Sequence, residues 1–176
     1  LKDKKGKKWF ATSMGIYGTY GLSSFDGVNW TYYTPQNSGF KEYSCGDITL
    51  DSLGNIWCLG QLAVYKFDGV NWTRYGLPYE YYKIKWHKGL LWVFGYEKAR
   101  SFDGVKWTNY ALVSGAIPNG IASDKKGNLW ISANNVGAYC YDGVNFKQYG
   151  PGNSGIVSIH STDVCVDSND VVWISS

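Results

Sequence analysis

Short runs of alternating apolar and polar residues, separated by turn signals, extend along the whole chain. The stretch Asp51–Tyr75 reads D-S-L-G-N-I-W, a short gap, and then Y-K-F-D-G-V-N-W-T-R-Y. Alternation with a period of two is typical of β-strands that bury one face. The D-S-L-G segment predicts a tight turn, in which the carboxylate of Asp51 accepts from backbone N–H groups and Gly54 takes a positive φ. Asp68-Gly69 predicts a two-residue type I′ hairpin, so the stretch predicts a four-stranded antiparallel meander.

The same unit recurs at intervals of 35 to 48 residues. The counterparts of Trp57 are Trp9, Trp92, Trp130 and Trp173. An aromatic-Asp-Gly turn also recurs four times, with an aromatic residue four positions after the aspartate and a tyrosine three positions later. Four-stranded repeats of about 40 residues indicate β-propeller blades. The sequence therefore predicts an all-β fold of about four blades plus a half blade in a single partial propeller domain, with repeats at approximately 1–45, 46–81, 82–118, 119–161 and 162–176.

Several details of the blades follow from this alignment. The repeat tryptophans are expected on second strands, buried between blades. The first copy is expected to lack its opening strand, and the closing half copy, Asp163 to Ser176, duplicates a strand instead of supplying the missing one. We therefore expect a part of a larger ring, or an open arc completed by another chain. The chain also begins without Met, as expected of a processed or excised piece.

Two segments between blades are informative. An N-S-G segment lies the same distance before Asp51 and before Asp167: Asn37-Ser38-Gly39 and Asn153-Ser154-Gly155. The two segments are therefore expected to share one structure. The third copy departs from the pattern, because its turn is one residue shorter and places His87 at the aspartate position. Alternation in the strand before this turn predicts that Tyr82 lies in the core.

Composition narrows the function without defining it. The net charge of +3 is modest, so we expect no nucleic-acid partner, and there is no apolar run of 18 residues that would span a membrane. The four cysteines lack Cys-x-x-Cys spacing, which argues against a zinc site, and we expect neither a metal nor another cofactor. Their strand-like surroundings favour buried free thiols over disulfides, and both remain open: Cys45, Cys58, Cys140 and Cys165.

The pattern D-x-x-G-N-x-W, then Y/F-D-G, then W-x-x-Y, then N-S-G resembles the two-component regulator propeller repeat. The resemblance covers essentially the whole chain and rests on residues that build blades, including Asp51, Gly54, Asn55, Trp57 and Tyr75. It implies an extracytoplasmic module, periplasmic or at the cell surface or secreted, as in the sensor regions of hybrid histidine kinases and in surface proteins of Bacteroidetes-type bacteria. It assigns no catalytic residue to this chain.

Two groups of residues are candidates for a site. Tyr17, Tyr20, Tyr79 and Tyr81 lie in loops or linkers and are not required by the repeat, so they are expected to bind a carbohydrate, a peptide or a protein partner. Packing on a neighbouring blade is the alternative. Asp47, Asp163 and His160 lie near the opening strands, at the mouth of the central channel, where an enzyme would need a base and supporting acids.

We therefore weigh three functions. The first is a non-catalytic module that binds a ligand or partner. The second is a carbohydrate-active hydrolase or lyase with a site at the channel mouth, as the resemblance to streptogramin lyase propellers implies. The third is a structural subunit of a surface or secretion assembly, with self-association through open blade edges. Linkers and second-to-third strand loops emerge on one face of a propeller, and we expect binding on that face.

Overall fold

The computed structural model describes residues 1–12, 21–77 and 80–176, and this part of the chain contains β-strands and no helix. The strands form antiparallel sheets in which sequence neighbours pair, in groups of up to four. The predicted all-β fold of meander blades is confirmed. The chain divides into two compact units, Leu1–Leu91 and Trp92–Ser176.

The first unit contains a three-stranded blade and a four-stranded blade. Their strands are β1 (Lys8–Ala11), β2 (Leu22–Phe25), β3 (Trp30–Tyr33), β4 (Asp47–Leu50), β5 (Ile56–Leu59), β6 (Ala63–Phe67) and β7 (Trp72–Gly76). The first blade has three strands, so the prediction that it lacks a full opening strand is confirmed. The Trp9 N–H donates to the Leu1 carbonyl at 2.8 Å and the Leu1 amino group donates to the Trp9 carbonyl at 3.1 Å, so a short piece of an opening strand pairs with β1.

The remaining strands follow the same meander order. The third sheet comprises β8 (Tyr81–His87), β9 (Leu90–Gly95), β10 (Lys98–Phe102) and β11 (Trp107–Ala111). The fourth blade comprises β12 (Ile117–Ser123), β13 (Leu129–Asn134), β14 (Gly137–Tyr141) and β15 (Phe146–Tyr149). The half blade comprises β16 (Asp163–Val166) and β17 (Val172–Ser175).

The D-x-x-G-N-x-W motif is a hydrogen-bonded clamp. One carboxylate oxygen of Asp51 accepts from the backbone N–H groups of Leu53 and Asn55, and the other accepts from the indole Nε1 of Trp57 at 3.0 Å. Gly54 takes the predicted positive φ of 92°. The same indole-to-carboxylate bond, at 2.9 to 3.0 Å, joins three further pairs: Asp3 and Trp9, Asp124 and Trp130, and Asp167 and Trp173. The repeated spacing of six residues therefore positions the aspartate carboxylate to accept from the tryptophan indole.

The third copy has lost this clamp. Its turn is Lys88-Gly89, with φ of 47° and 80°, which are the two positive values that a two-residue type I′ hairpin needs. His87 stands where the other copies have aspartate, as the sequence predicts. The Trp92 indole is fully buried, and its Nε1 has no hydrogen-bond partner among the described residues.

The Asp-Gly turns differ from the predicted type I′ geometry. Phe67 pairs with Trp72, which leaves a four-residue loop closed by a hydrogen bond from the Asp68 N–H to the Asn71 carbonyl at 3.2 Å. Gly69 has a positive φ of 103°, but Asp68 does not have a positive φ. The Asp68 carboxylate instead accepts from the N–H groups of Val70 and Asn71, which stabilises the turn without a left-handed aspartate.

Aromatic stacking forms much of each blade's core. The tyrosine of each W/F-x-x-Y motif packs against the repeat tryptophan of its own blade, either stacked or tilted, with centroids 5.0 to 5.4 Å apart in four pairs: Trp9–Tyr33, Trp57–Tyr75, Trp92–Tyr110 and Trp130–Tyr149. All four tryptophans are buried or half-buried. Trp173 was expected to be buried and is 59% exposed, because the two-stranded half blade contains no such tyrosine to cover it.

Neighbouring blades are linked in the same way in both units. In the first unit the Lys4 ammonium donates to the Ser52 carbonyl at 2.7 Å, and in the second the Lys125 ammonium donates to the Ser168 carbonyl at 2.5 Å. Each lysine follows the clamp aspartate of one blade, and each serine follows that of the next. The lysines therefore fasten adjacent hairpin turns together.

The two N-S-G segments have one structure, as predicted. Asn37 accepts from the Thr34 N–H and donates to the Tyr32 carbonyl, and Asn153 makes the equivalent pair of bonds with Gly150 and Gln148. Both side-chain amides are therefore engaged in building their own loops.

Candidate functional site

The linker pocket is an opening of about 260 Å³ in the first unit. Its wall is formed by the linker before β4 and the loop between β5 and β6, which are the kinds of segment predicted to form the binding face, together with Glu80 and the first two residues of β8. Tyr81, which was predicted to lie in a linker, is therefore the first residue of a strand. The lining residues are Ser44, Gly46, Gly60, Gln61, Glu80, Tyr81 and Tyr82. Of the four candidate tyrosines, Tyr81 is half-buried in this wall, and Tyr17, Tyr20 and Tyr79 lie outside the described residues.

Tyr82 lies in the pocket and not in the core. Its side chain is 44% exposed, although Ile84, two residues later on the same strand face, is buried as the alternation predicts. The strand β4 begins at Asp47, whose carboxylate accepts from the Ile84 N–H at 3.0 Å. Because β4 starts opposite Ile84, nothing in that strand covers Tyr82.

Glu42 holds the two sides of the pocket together. Its carboxylate accepts from the backbone N–H groups of Gln61 and Leu62 in the β5–β6 loop, with both oxygens 3.3 Å from the Leu62 nitrogen. A Cβ atom on Gly60 would lie 2.6 Å from Oε2 of Glu42. Glycine at position 60 therefore allows the linker and the loop to approach, and the carboxylate fixes the loop that carries Gln61.

A tyrosine and an arginine adjoin this carboxylate. Burial, and then the negative charge of Glu42, raise the pKa of the buried Tyr65 phenol, and the Arg74 guanidinium opposes part of that rise. Arg74 also donates to the Leu62 carbonyl at 3.4 Å. The raised pKa keeps Tyr65 protonated at neutral pH.

The linker pocket is lined by aromatic and polar side chains, among them the carboxylate of Glu80. Two tyrosines offer apolar rings with hydroxyl groups at their edges, and Ser44 and Gln61 add a hydroxyl and an amide. Such a combination binds the apolar face of a ligand on a ring and fixes its orientation by hydrogen bonds.

Asp47, a candidate at the channel mouth, is engaged in joining strands. One carboxylate oxygen accepts from the Ile48 N–H at 2.9 Å, and the other accepts from the Ile84 N–H of β8. Nearby, the Thr49 hydroxyl accepts from the Trp86 N–H at 3.1 Å. Asp47 therefore links the innermost strands β4 and β8 within the first unit.

Asp163 and His160 both lie in the second unit and are exposed. Asp163 accepts from the Val164 N–H at 2.9 Å, and Nδ1 of His160 lies 2.7 Å from the Asn134 side-chain oxygen. This contact gives the imidazole a fixed orientation. The structure thus places Asp163 and His160, which is held by Asn134, in one unit and Asp47 in the other.

The carboxylate of Glu97 is held within a loop of the second unit. Glu97 accepts from the Gly115 N–H at 2.6 Å and from the Ser114 hydroxyl at 2.9 Å, and these bonds lower the pKa of its carboxyl.

Among the described residues, no group of three or more His, Cys, Asp or Glu side chains could hold a metal ion. The described part of the chain also has no helix with the length and apolar character needed to cross a membrane.

Two further exposed tyrosines lie in equivalent kinds of segment and were not predicted as site residues. Tyr43 lies in the linker before β4, where its hydroxyl accepts from the Gln36 amide at 2.7 Å. Tyr96 lies in the loop between β9 and β10 of the third sheet. Neither belongs to the repeat pattern, so the criterion that selected Tyr81 would also have selected both.

Comparison with known proteins finds likeness in structure and not in sequence. No family model matches the chain, and no curated protein matches it. The extracellular domain of a B. thetaiotaomicron protein described as a hybrid two-component system is 21% identical, with a TM-score of 0.77 over 100% of this chain and 26% of that chain. Virginiamycin B lyase from Staphylococcus aureus is 17% identical, with a TM-score of 0.79 over 99% of this chain and 61% of that chain.

A third neighbour is YCF48 bound to the D1 peptide, which is 11% identical, with a TM-score of 0.65 over 94% of this chain and 55% of that chain. The chain therefore spans between about a quarter and three fifths of the length of these neighbours. At such identities the likeness establishes the fold. The chain consists of β-propeller blades, and its neighbours among the extracellular domains of two-component systems support the resemblance to the two-component regulator propeller repeat family.

Proposed function

We propose that this chain is a non-catalytic, extracytoplasmic module that binds a ligand or partner at the linker pocket. The observation that carries the proposal is the convergence of Tyr81, Tyr82 and Gln61 on one opening, in segments that vary between repeats. Carbohydrates and peptides are the ligand classes that fit tyrosine rings beside hydroxyl and amide groups. The extracellular neighbours support a place in the periplasm or at the cell surface.

The experiment is a binding screen followed by paired substitutions. The purified chain is screened against panels of soluble oligosaccharides and synthetic peptides, and the best binder is titrated by calorimetry. The double substitution Tyr81→Ala and Tyr82→Ala is expected to weaken binding by at least tenfold, because stacking on an aromatic ring is typically worth about 1–3 kcal/mol, by analogy with base stacking.

The matched control is Tyr32→Ala. Tyr32 is an exposed tyrosine on the outer strand β3, and it does not line the linker pocket. The Tyr32→Ala substitution should leave the affinity for the selected ligand unchanged. If the pocket variant remains folded and binds as the native chain does, or if the control loses as much affinity, the pocket is not the binding site.

A lyase is the second candidate, favoured by the oriented His160 and by the likeness to virginiamycin B lyase. Virginiamycin B itself is the probe, with ring opening followed by mass spectrometry. Cleavage that disappears in His160→Ala would replace the binding proposal, and cleavage that survives in the variant would be attributed to a contaminant.

We also propose that the chain associates through its uncovered blade faces, which would suit a subunit of a surface or secretion assembly. Phe10 and Trp30 lie 5.1 Å apart on an exposed face of the first blade, and Trp173 is exposed on the half blade. Large exposed aromatic surfaces mark interaction sites. Light scattering should show association that increases with concentration and that decreases in Trp30→Ser, and a monomer at all concentrations would oppose this proposal.

A further inference from the structure

Two cysteines of the first unit meet behind the linker pocket. Cys45 lies in the linker before β4 and Cys58 lies on β5, and at 1% and 0% exposure both are buried in the same cluster of apolar side chains. Both thiols are free in the structure, and Cys45 is a close enough neighbour to add to the raised pKa of the Cys58 thiol. The Cys45 thiol itself donates to the Asp47 carbonyl at 3.4 Å.

The backbone at Cys45 is held on both sides. The Cys45 N–H donates to the Thr12 carbonyl at 3.2 Å, and the next residue, Gly46, donates to the Leu59 carbonyl at 2.8 Å. Leu59 directly follows Cys58 in β5. These bonds hold the linker against the strand, so Cys45 stays beside the segment that carries Cys58.

We propose that Cys45 and Cys58 form a disulfide when the chain folds in an oxidising compartment. The step is thiol–disulfide exchange with a small disulfide such as oxidised glutathione. The Cys45 thiolate attacks that disulfide, one glutathione leaves as a thiol, and Cys58 then displaces the second glutathione from the mixed disulfide. Each cysteine gives up one proton and one electron, and the glutathione disulfide is reduced to two thiols.

The exchange takes place before the blades finish packing. Both sulfur atoms are inaccessible in the folded unit, so a reagent in solution cannot reach them there. Burial also raises the pKa of the Cys58 thiol, with the neighbouring Cys45 adding to the rise, so the folded thiol form is slow to react. Once formed, the bond is protected in the same way.

The bond would brace the linker pocket. Gly46 and Gly60, which follow the two cysteines closely in sequence, both line that pocket. A covalent tie between their segments fixes the distance between the linker and the β5–β6 loop. This consequence rests on the proposed function, whereas the disulfide itself does not.

The test is a thiol count on the full chain. The protein is refolded with a mixture of reduced and oxidised glutathione, then denatured without reductant, alkylated and analysed by intact mass and peptide mapping. We expect alkylation at Cys140 and Cys165 only, and a peptide joining Cys45 to Cys58. Alkylation at all four cysteines, or a crosslink involving Cys140 or Cys165, would overturn the proposal.

Two double variants provide matched controls. The apparent Tm of the oxidised native chain and of Cys140→Ala with Cys165→Ala should fall by roughly 5–10 °C on reduction, because the short loop between Cys45 and Cys58 is released. Cys45→Ala with Cys58→Ala should show no response to reductant. An equal fall of the apparent Tm in that variant would show that the Cys45–Cys58 bond does not cause it. If the variant does not fold, the thiol count on the native chain still tests the disulfide.

Discussion

Replacement of Asp51 by alanine tests the clamp that defines the repeat. The substitution removes four hydrogen bonds, from the Leu53 N–H, the Asn55 N–H, the Asn55 side-chain amide and the Trp57 indole, at 2.7 to 3.0 Å. The backbone groups lie in a turn where Leu53 is exposed, so water replaces part of what they lose. The Trp57 indole is buried and has no such replacement.

The expected loss follows from these bonds. Leaving a buried donor unsatisfied costs about 1–3 kcal/mol, and a hydrogen bond to a charged acceptor contributes about 1.5–3 kcal/mol net. Allowing for water at the turn, we expect Asp51→Ala to lower the free energy of unfolding by about 3–5 kcal/mol. For a chain of this length, the apparent Tm should fall by roughly 10 °C.

Urea denaturation followed by circular dichroism measures this loss. Asp68→Ala in the same blade is the matched control, since its exposed carboxylate accepts from the N–H groups of Val70 and Asn71 in an exposed loop and not from a buried indole. Asp68→Ala should lower the free energy of unfolding clearly less than Asp51→Ala does. A loss below about 1 kcal/mol for Asp51→Ala, or equal losses in the two variants, would refute the view that the indole bond holds the turn.

The same carboxylate gives the stability a pH dependence of defined sign. Burial acts to raise the pKa of Asp51, but the hydrogen bonds from Trp57 and Asn55 outweigh it, so the folded pKa lies below the ordinary value of 3.8. The stabilisation is therefore present above the unfolded value and is lost as the pH falls through the lower folded value. Between about pH 6 and about pH 3, Asp51→Ala should lose less stability than the native chain, and equal losses would contradict this assignment.

Two further substitutions test neighbouring features by urea denaturation. Trp92→Phe should cost about 1–3 kcal/mol less than Trp57→Phe, because the Trp92 Nε1 has no partner to lose, and equal costs would show that the clamp contributes little. Gly60→Ala should destabilise the first unit by about 1–3 kcal/mol by displacing the Glu42 carboxylate, whereas Gly46→Ala, with its nearest contact at 3.7 Å, should have little effect. Tolerance of Gly60→Ala would show that Glu42 moves freely.

The sequence was sufficient to predict the blades because their signals are local. The Asp51 turn, the Gly54 φ and the paired N-S-G loops depend on residues a few positions apart, and each was confirmed. The indole bond of Trp57 to Asp51 was not predicted, although the six-residue spacing was visible in every copy that has the aspartate. That bond needs the tryptophan rotamer, which spacing alone does not specify.

The candidate site was harder to predict because it depends on where neighbouring strands end. Alternation placed Tyr82 in the core, yet β4 begins too late to cover it. The role of Glu42 could not be predicted from a sequence motif, because its carboxylate binds a loop nineteen residues away in sequence. The exposure of Trp173 likewise follows from the absence of a covering tyrosine in the half blade. The environments of Tyr82, Glu42 and Trp173 all depend on residues distant in sequence, which a local pattern does not contain.

The clamp has a consequence for how the chain acquires its structure. Its bonds close within six residues, so each turn can form before its blade contacts another, at the small entropic cost of a short loop. Contacts between blades, such as the bond from Lys4 to Ser52, span 48 residues. Folding is therefore expected to begin at many hairpins independently and to proceed by docking of neighbours, as in other repeat proteins. The third copy, with its shortened turn and unpaired indole, is the place where that order should be slowest to establish.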